Sequence, residues 1–155
     1  MKSILIGNPS FENLITNDYI YIDKTDILYN LIKLKGTYFF CPRPRRFGKT
    51  LTISTLEAIF KGKKDLFRGL KIYEADYDWK EYPVIHIDLG RIQAKNADQL
   101  EESLKKEIAR ISKAYSVEYN EKSIYYDAWN DLILNISEKG KLVILIDEYD
   151  KRCCS

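Results

Sequence analysis

The sequence predicts an α/β fold, a parallel sheet flanked by helices. Three observations carry that expectation. Leu142-Val143-Ile144-Leu145-Ile146 is a continuous apolar run, of the kind that forms a strand buried on both faces of a parallel sheet. Apolar strands alternate along the chain with longer segments of helical period. Between residues 37 and 60 a strand, a basic loop ending in Gly48-Lys49-Thr50 and an amphipathic segment occur in succession.

Each element has a local reason. Asn8 and Pro9 suit the N-cap and first position of a short helix. Residues 18–22, Asp-Tyr-Ile-Tyr-Ile, read as a short extended piece. Asp23 is placed to cap a helix with Asp26 in its first turn, where the helix dipole favours negative charge. Ile27, Leu28, Leu31 and Ile32 give that helix an apolar face, and Gly36 ends it. Thr37 to Cys41, β-branched and aromatic, reads as a strand stopped by Pro42 and Pro44. A helix is expected from Lys49 to about Phe60, with Leu51, Leu56, Ile59 and Phe60 apolar and Gly62 closing it. Pro83 opens a strand, Val84 to Leu89, that finishes near Asp88 and Gly90. Asn96 caps a long helix with Leu100, Leu104, Ile108 and Ile111 on one side. Its other side carries the i,i+4 pairs Glu101–Lys105 and Glu102–Lys106. A last helix is expected over residues 122–137, with Trp129, Leu132, Ile133 and Ile136 apolar. Gly140 ends it before the final apolar strand.

Bulk composition narrows the function classes. The 155 residues are 45% hydrophobic and 31% charged, which is ordinary for one globular domain. A net charge of +2 supplies no global field to recruit nucleic acid or an anionic membrane. The N-terminal apolar run is too short for a signal peptide, and no stretch reaches the ~20 apolar residues of a membrane span. Three cysteines and one histidine give no four-ligand zinc pattern. An odd cysteine count without a secretory signal fits a reducing, cytoplasmic location.

The basic loop is the chemical feature. A phosphate-binding loop, G-x-x-x-x-G-K-[ST], wraps phosphates with backbone N–H groups at a helix N-terminus. Gly48 permits close backbone approach, Lys49 reaches the β and γ phosphates, and the Thr50 hydroxyl binds Mg²⁺. Counting back, Arg43 stands where the first glycine belongs. The plainer alternative is a common tripeptide at a helix start. The other end of the chain adds weight: the apolar strand finishes in Asp147-Glu148. In ATPases with such loops the strand-end aspartate holds Mg²⁺, and a neighbouring glutamate can deprotonate the attacking water. Asp147 is thus the candidate metal ligand and Glu148 the candidate general base. Taken alone, Asp147 is as well explained as a cap for the segment after the strand. Both motifs in the right order on one chain favour a phosphate-loop NTPase-type sheet, with Mg²⁺ and ATP as cofactors.

The chain resembles the N-terminal portion of the bacterial and archaeal AAA-ATPase-like family. The resemblance rests on Tyr21-Ile22-Asp23-Lys24-Thr25, Arg43-Pro44-Arg45-Arg46-Phe47-Gly48-Lys49-Thr50, Ser54-Thr55-Leu56, Leu66-Phe67-Arg68-Gly69-Leu70, Tyr82-Pro83-Val84-Ile85 and Leu145-Ile146-Asp147-Glu148-Tyr149-Asp150. It runs from about Ile6 to Lys151. In that family arginine is usual at the position of Arg43, so its presence is no defect. Pro42 and Pro44 are expected to fix the turn that the glycine would otherwise permit. The resemblance implies nucleotide contacts from Arg45, Arg46, Phe47, Gly48, Lys49, Thr50 and Leu51, and Mg²⁺ at Thr50 and Asp147. Arg45 and Arg46 have structural readings too, in ion pairs or solvent. Asp23-Lys24-Thr25 reads first as a helix start, His86 as a satisfied core histidine, and Asp88 as a weaker candidate for the site.

Family members typically continue past Asp-Glu-Tyr-Asp-Lys with a proline and then a restriction-endonuclease-like nuclease domain. Here the next residues are Arg152-Cys153-Cys154-Ser155. The expectation is a single truncated domain, incomplete at its C-terminus. It comprises an N-terminal helical segment (1–36), a nucleotide-binding core (37–151) and an atypical tail (152–155). In that topology a strand between the loop strand and the acidic strand is missing. Either the two close up, or self-association or a partner chain completes the sheet. Three functions compete: an ATPase module, an ATP-binding module without turnover, and a non-functional remnant. Neither nuclease activity nor nucleic-acid binding is indicated for this stretch.

Overall fold

The computed structural model describes residues 3, 7, 10–34, 38–42, 44, 47–92, 94, 96–121, 123–138 and 140–149. The chain divides into two compact units, Met1–Glu81 and Tyr82–Ser155.

The first unit is helical. Helix α1 spans Phe11–Thr16, α2 Thr25–Lys33 and α3 Lys49–Phe60, with short 3₁₀ turns at Lys64–Phe67 and Lys71–Glu74. Asn8 and Pro9 lie outside the described residues, and α1 starts later than they suggest. Ser10 is its N-cap, accepting from the Asn13 amide at 3.3 Å. The next amide, that of Phe11, donates to Ser54 Oγ at 3.0 Å and ties the start of α1 to α3. The core gathers Phe11, Leu28, Ala58, Ile59, Phe67 and Ile72. Phe11 stacks on Phe67 with centroids 4.6 Å apart and meets Tyr21 edge-on at 5.1 Å.

One expectation about this unit needs correction and another a qualification. The piece expected to be extended over residues 18–22 opens in a turn: Asp18 is at φ 53°, and the Tyr19 amide closes back on Leu14 O. The strand expected from Thr37 to Cys41 does not form over its described residues, 38–41, and Tyr38 is 92% exposed. A strand needs a neighbour to satisfy its N–H and C=O groups, and the described strands pair only with each other. The apolar face of α2 is also narrower than expected. Thr25 and Leu28 point inward and Ile32 packs on the core, while Ile27 is exposed. Ile27 lies about 200° around the helix from Thr25.

Asp23 does more than cap. Helix α2 begins at Thr25, with Lys24 at the cap position. Asp23 Oδ1 accepts from the Thr25 amide at 2.9 Å and the Thr25 hydroxyl at 2.7 Å. Its Oδ2 accepts from the Lys71 amide at 2.8 Å. The fully buried Thr25 hydroxyl in turn accepts from the Ile72 amide at 3.0 Å. Lys71 Nζ completes the clasp on Asp26 Oδ2 at 2.8 Å. The motif thus ties the start of α2 to a turn some 47 residues on. Burial pushes the Asp23 carboxyl up. The amides of Lys71 and Thr25, the Thr25 hydroxyl and the Lys71 charge outweigh it and hold the group below its ordinary value.

The second unit holds β1 (Val84–Asp88), α4 (Ala97–Tyr115), α5 (Tyr125–Ser137) and β2 (Val143–Asp147). β1 and β2 are parallel, with Val84 opposite Val143 and Asp88 opposite Asp147. A parallel pair needs a long crossover, which α4 and α5 supply. Asn96 caps α4 by accepting from the Gln99 amide at 2.9 Å, as expected. The pairs Glu101–Lys105 (2.8 Å) and Glu102–Lys106 (2.7 Å) form on its outer side. Ile85 and Ile87 pack against Ile108, Ile111, Ala128, Leu132 and Ile136. Tyr115 locks α4 to β1: its hydroxyl accepts from Val84 N at 2.8 Å and donates to Val84 O at 2.7 Å. β2 is not buried on both faces, because Ile144 and Ile146 are exposed. Register puts them beside Ile85 and Ile87, so α4 and α5 shield the β1 half of that face more fully. His86 is partly buried in β1, opposite Leu145. Among the described residues no helix is long and apolar enough to cross a membrane.

Two outcomes are expected from this packing. Leu132→Ala, at a fully buried position, should destabilise the protein by about 2–5 kcal/mol in denaturant melts. Leu134→Ala, exposed on the same helix, should stay within about 0.5 kcal/mol. The lowered Asp23 value has a sign in pH. Its stabilisation is fully present above about pH 4, the ordinary aspartate value, and is lost as pH falls through the lower folded-state value. The melting-temperature gap between wild type and Asp23→Asn should therefore narrow on acidification through that range.

Candidate functional site

The candidate residues of the loop belong to the first unit. Helix α3 begins at Lys49, with Gly48 as its N-cap. Gly48 sits in the left-handed region, at φ 75° and ψ 24°. A Cβ there would meet nothing within 4 Å, so the glycine serves backbone conformation rather than space. Gly48 has no side chain with which to cap this end of α3, and the first turn carries no acid. A helix N-terminus without such an acid favours an external anion. Lys49 and Thr50 are its first two residues, both half-buried. Leu51 is held differently: its carbonyl accepts from Ser54 Oγ at 3.0 Å and Thr55 Oγ1 at 2.7 Å, and its side chain packs on the core. The Ser54-Thr55 pair, conspicuous in the sequence, thus secures the first turns of α3 from inside. Phe47 is exposed. Arg43, Arg45 and Arg46 lie outside the described residues.

The candidate acids belong to the second unit. Asp147 closes β2 and is only 2% exposed. Its Oδ1 accepts from the Glu148 amide at 2.9 Å. Glu148 comes next, in the left-handed region at φ 54°. That conformation is uncommon for a residue with a full side chain and is held only by its surroundings. The parallel register brings Asp88 to the end of β1 directly opposite Asp147. Asp88 Oδ1 accepts from the Gly90 amide at 2.9 Å, and its Oδ2 from Arg91 Nε at 3.0 Å. Asp88 therefore stands with the acidic pair. Sequence reasoning does not single out Arg91; its place three residues after a strand-end acid is the available signal.

Each unit holds an oxygen donor of the kind a hard cation takes. Thr50 offers a hydroxyl, and Asp147 a buried carboxylate with one oxygen already oriented by an amide. Mg²⁺ binds through oxygen, often with one or two carboxylates and the substrate's own phosphates. Among the described residues no three or more His, Cys, Asp or Glu side chains are grouped to hold a metal without such help.

An uncharacterised protein from the vnfD 5′ region of Azotobacter chroococcum mcd 1 is 34% identical over 154 residues. The match takes in 97% of this chain and 29% of that protein, so the chain spans less than a third of its relative's length. No solved structure matches. The family described as "Predicted AAA-ATPase" matches residues 5–155. The chain accordingly belongs to the AAA-ATPase-like family.

Proposed function

We propose that this chain is the Mg-ATP-binding part of an AAA-ATPase-like protein. The observation that carries the reading is the left-handed Gly48 at the N-cap of α3, with Lys49 and Thr50 as the helix's first residues. In this reading the loop from Arg45 to Leu51 surrounds the phosphates. Lys49 neutralises their charge, and the Thr50 hydroxyl and Asp147 hold Mg²⁺. Assigning Asp147 and Glu148 to the same nucleotide rests on the type and order of the two motifs. Bound Mg²⁺ would offset the negative charge that develops on the phosphates. Glu148 takes a proton from water as the water oxygen bonds to the γ-phosphorus and the bond to the ADP oxygen breaks. Because the relative is more than three times longer, turnover is proposed for the longer protein, and nucleotide binding for this stretch. Self-association or a partner chain that completes the two-stranded sheet belongs to the same proposal.

Titration of Mg-ATP into the purified chain tests the reading. Micromolar binding, about 8 kcal/mol, is expected, with loss of at least tenfold in affinity for Lys49→Ala. Glu148→Ala should keep the affinity and abolish any hydrolysis. Equal affinity of wild type and Lys49→Ala would refute the assignment of the loop.

A further inference from the structure

We infer that the turn Asp88–Arg91 is a built seat for the Glu148 side chain, with Gly90 its positioning residue. The inference deepens the reading above and rests on it for its functional meaning; the seat itself does not. Gly90 lies in the 3₁₀ turn after β1, and its backbone is not in the left-handed region. Conformation therefore gives no reason for a glycine here. Space does. A Cβ on Gly90 would lie 3.2 Å from Glu148 Cγ and 3.4 Å from Glu148 Cβ. It would also lie 2.8 Å from Asp88 Oδ1, closer than real contacts allow. That oxygen has little freedom to retreat, since the Asp88 carboxylate is held by the Gly90 amide and by Arg91.

Glu148 is fixed from its other side by the backbone. Its amide is bonded to Asp147 Oδ1 and its φ is 54°. A left-handed residue aims its side chain differently from one continuing the strand, and here the chain is sent over the bare Gly90 backbone. Three independent details thus converge on one side chain: the strained φ, the amide clamp and the missing Cβ. Residues at strained positions persist only when their surroundings over-determine them, and they cluster at working sites. The expected consequence is that Gly90 acts on the reaction through Glu148, leaving nucleotide binding alone.

A double-mutant cycle read by thermal melting tests the seat without any need for turnover. Gly90→Ala should lower the melting temperature. In a Glu148→Gly background, where both the overlying side chain and the strain are gone, that drop should shrink measurably, the remainder coming from the contact with Asp88 Oδ1. Equal drops in the two backgrounds would overturn the proposal. Where hydrolysis is measurable, Gly90→Ala should reduce kcat about tenfold or more, with Mg-ATP affinity within twofold of wild type. Coupling in the melts with an unchanged kcat would sink the positioning role and leave only packing. If no variant or wild type binds ATP, the function reading fails while the melting cycle still decides the seat. Should Gly90→Ala not fold, Glu148→Ala/Gly90→Ala should recover a cooperative melt; failure to do so counts against the seat.

Discussion

The pairing of β1 with β2 is the constraint on which the second unit depends. A parallel pair cannot be closed by a tight turn, so the chain must travel through α4 and α5 before β2 can be laid down. That same detour supplies the apolar cover for Ile85 and Ile87. Register then decides chemistry as well as packing. With Asp88 opposite Asp147, two acids finish their strands at the same level, at the carboxyl ends where α/β sheets bind ligands. A slip of one residue would reverse the facing of every β2 side chain. Asp147 would lose its burial and Glu148 its approach to Gly90.

The first unit is organised around a different kind of contact. Its core is aromatic, and polar groups stitch its short elements together across long sequence separations. The Asp23–Thr25 clasp is one such stitch and the Ser54 bond to Phe11 is another. Buried hydroxyls and carboxylates are tolerated only when satisfied, and here each bond answers a backbone amide that a short helix or 3₁₀ turn leaves open. Gly48, Lys49 and Thr50 thereby open a helix whose inner face is fixed.

Much of the second unit is legible from periodicity. The α4 cap at Asn96 and its i,i+4 ion pairs come from spacing alone, and so does the strand ending at Asp88. Helix α3 is legible because Gly48 and Gly62 bracket it. The strand expected from Thr37 to Cys41 does not form over its described residues, 38–41, because β-propensity describes a residue's fit to a sheet and cannot supply the neighbouring strand. The same limit applies to β2: an apolar run does not say how far helices will cover it. Asp88 is a weak candidate until the register puts it opposite Asp147. Gly90 reads in sequence merely as a strand terminator, since a glycine needed for space looks there like one needed for a turn. The clasp at Asp23 joins residues 48 apart in the chain, a relation no local pattern carries.

The two tryptophans fall one to each unit. Trp79 lies against Phe67 and Tyr77 at centroid distances of 5.0 and 5.2 Å, and Trp129 packs on the Ile108–Leu132 cluster. Each indole is therefore a resident optical reporter for its own half of the chain. Replacing one by phenylalanine leaves a single emitter, so the unfolding of the loop-bearing half and of the acid-bearing half become separately visible without a dye or an added label.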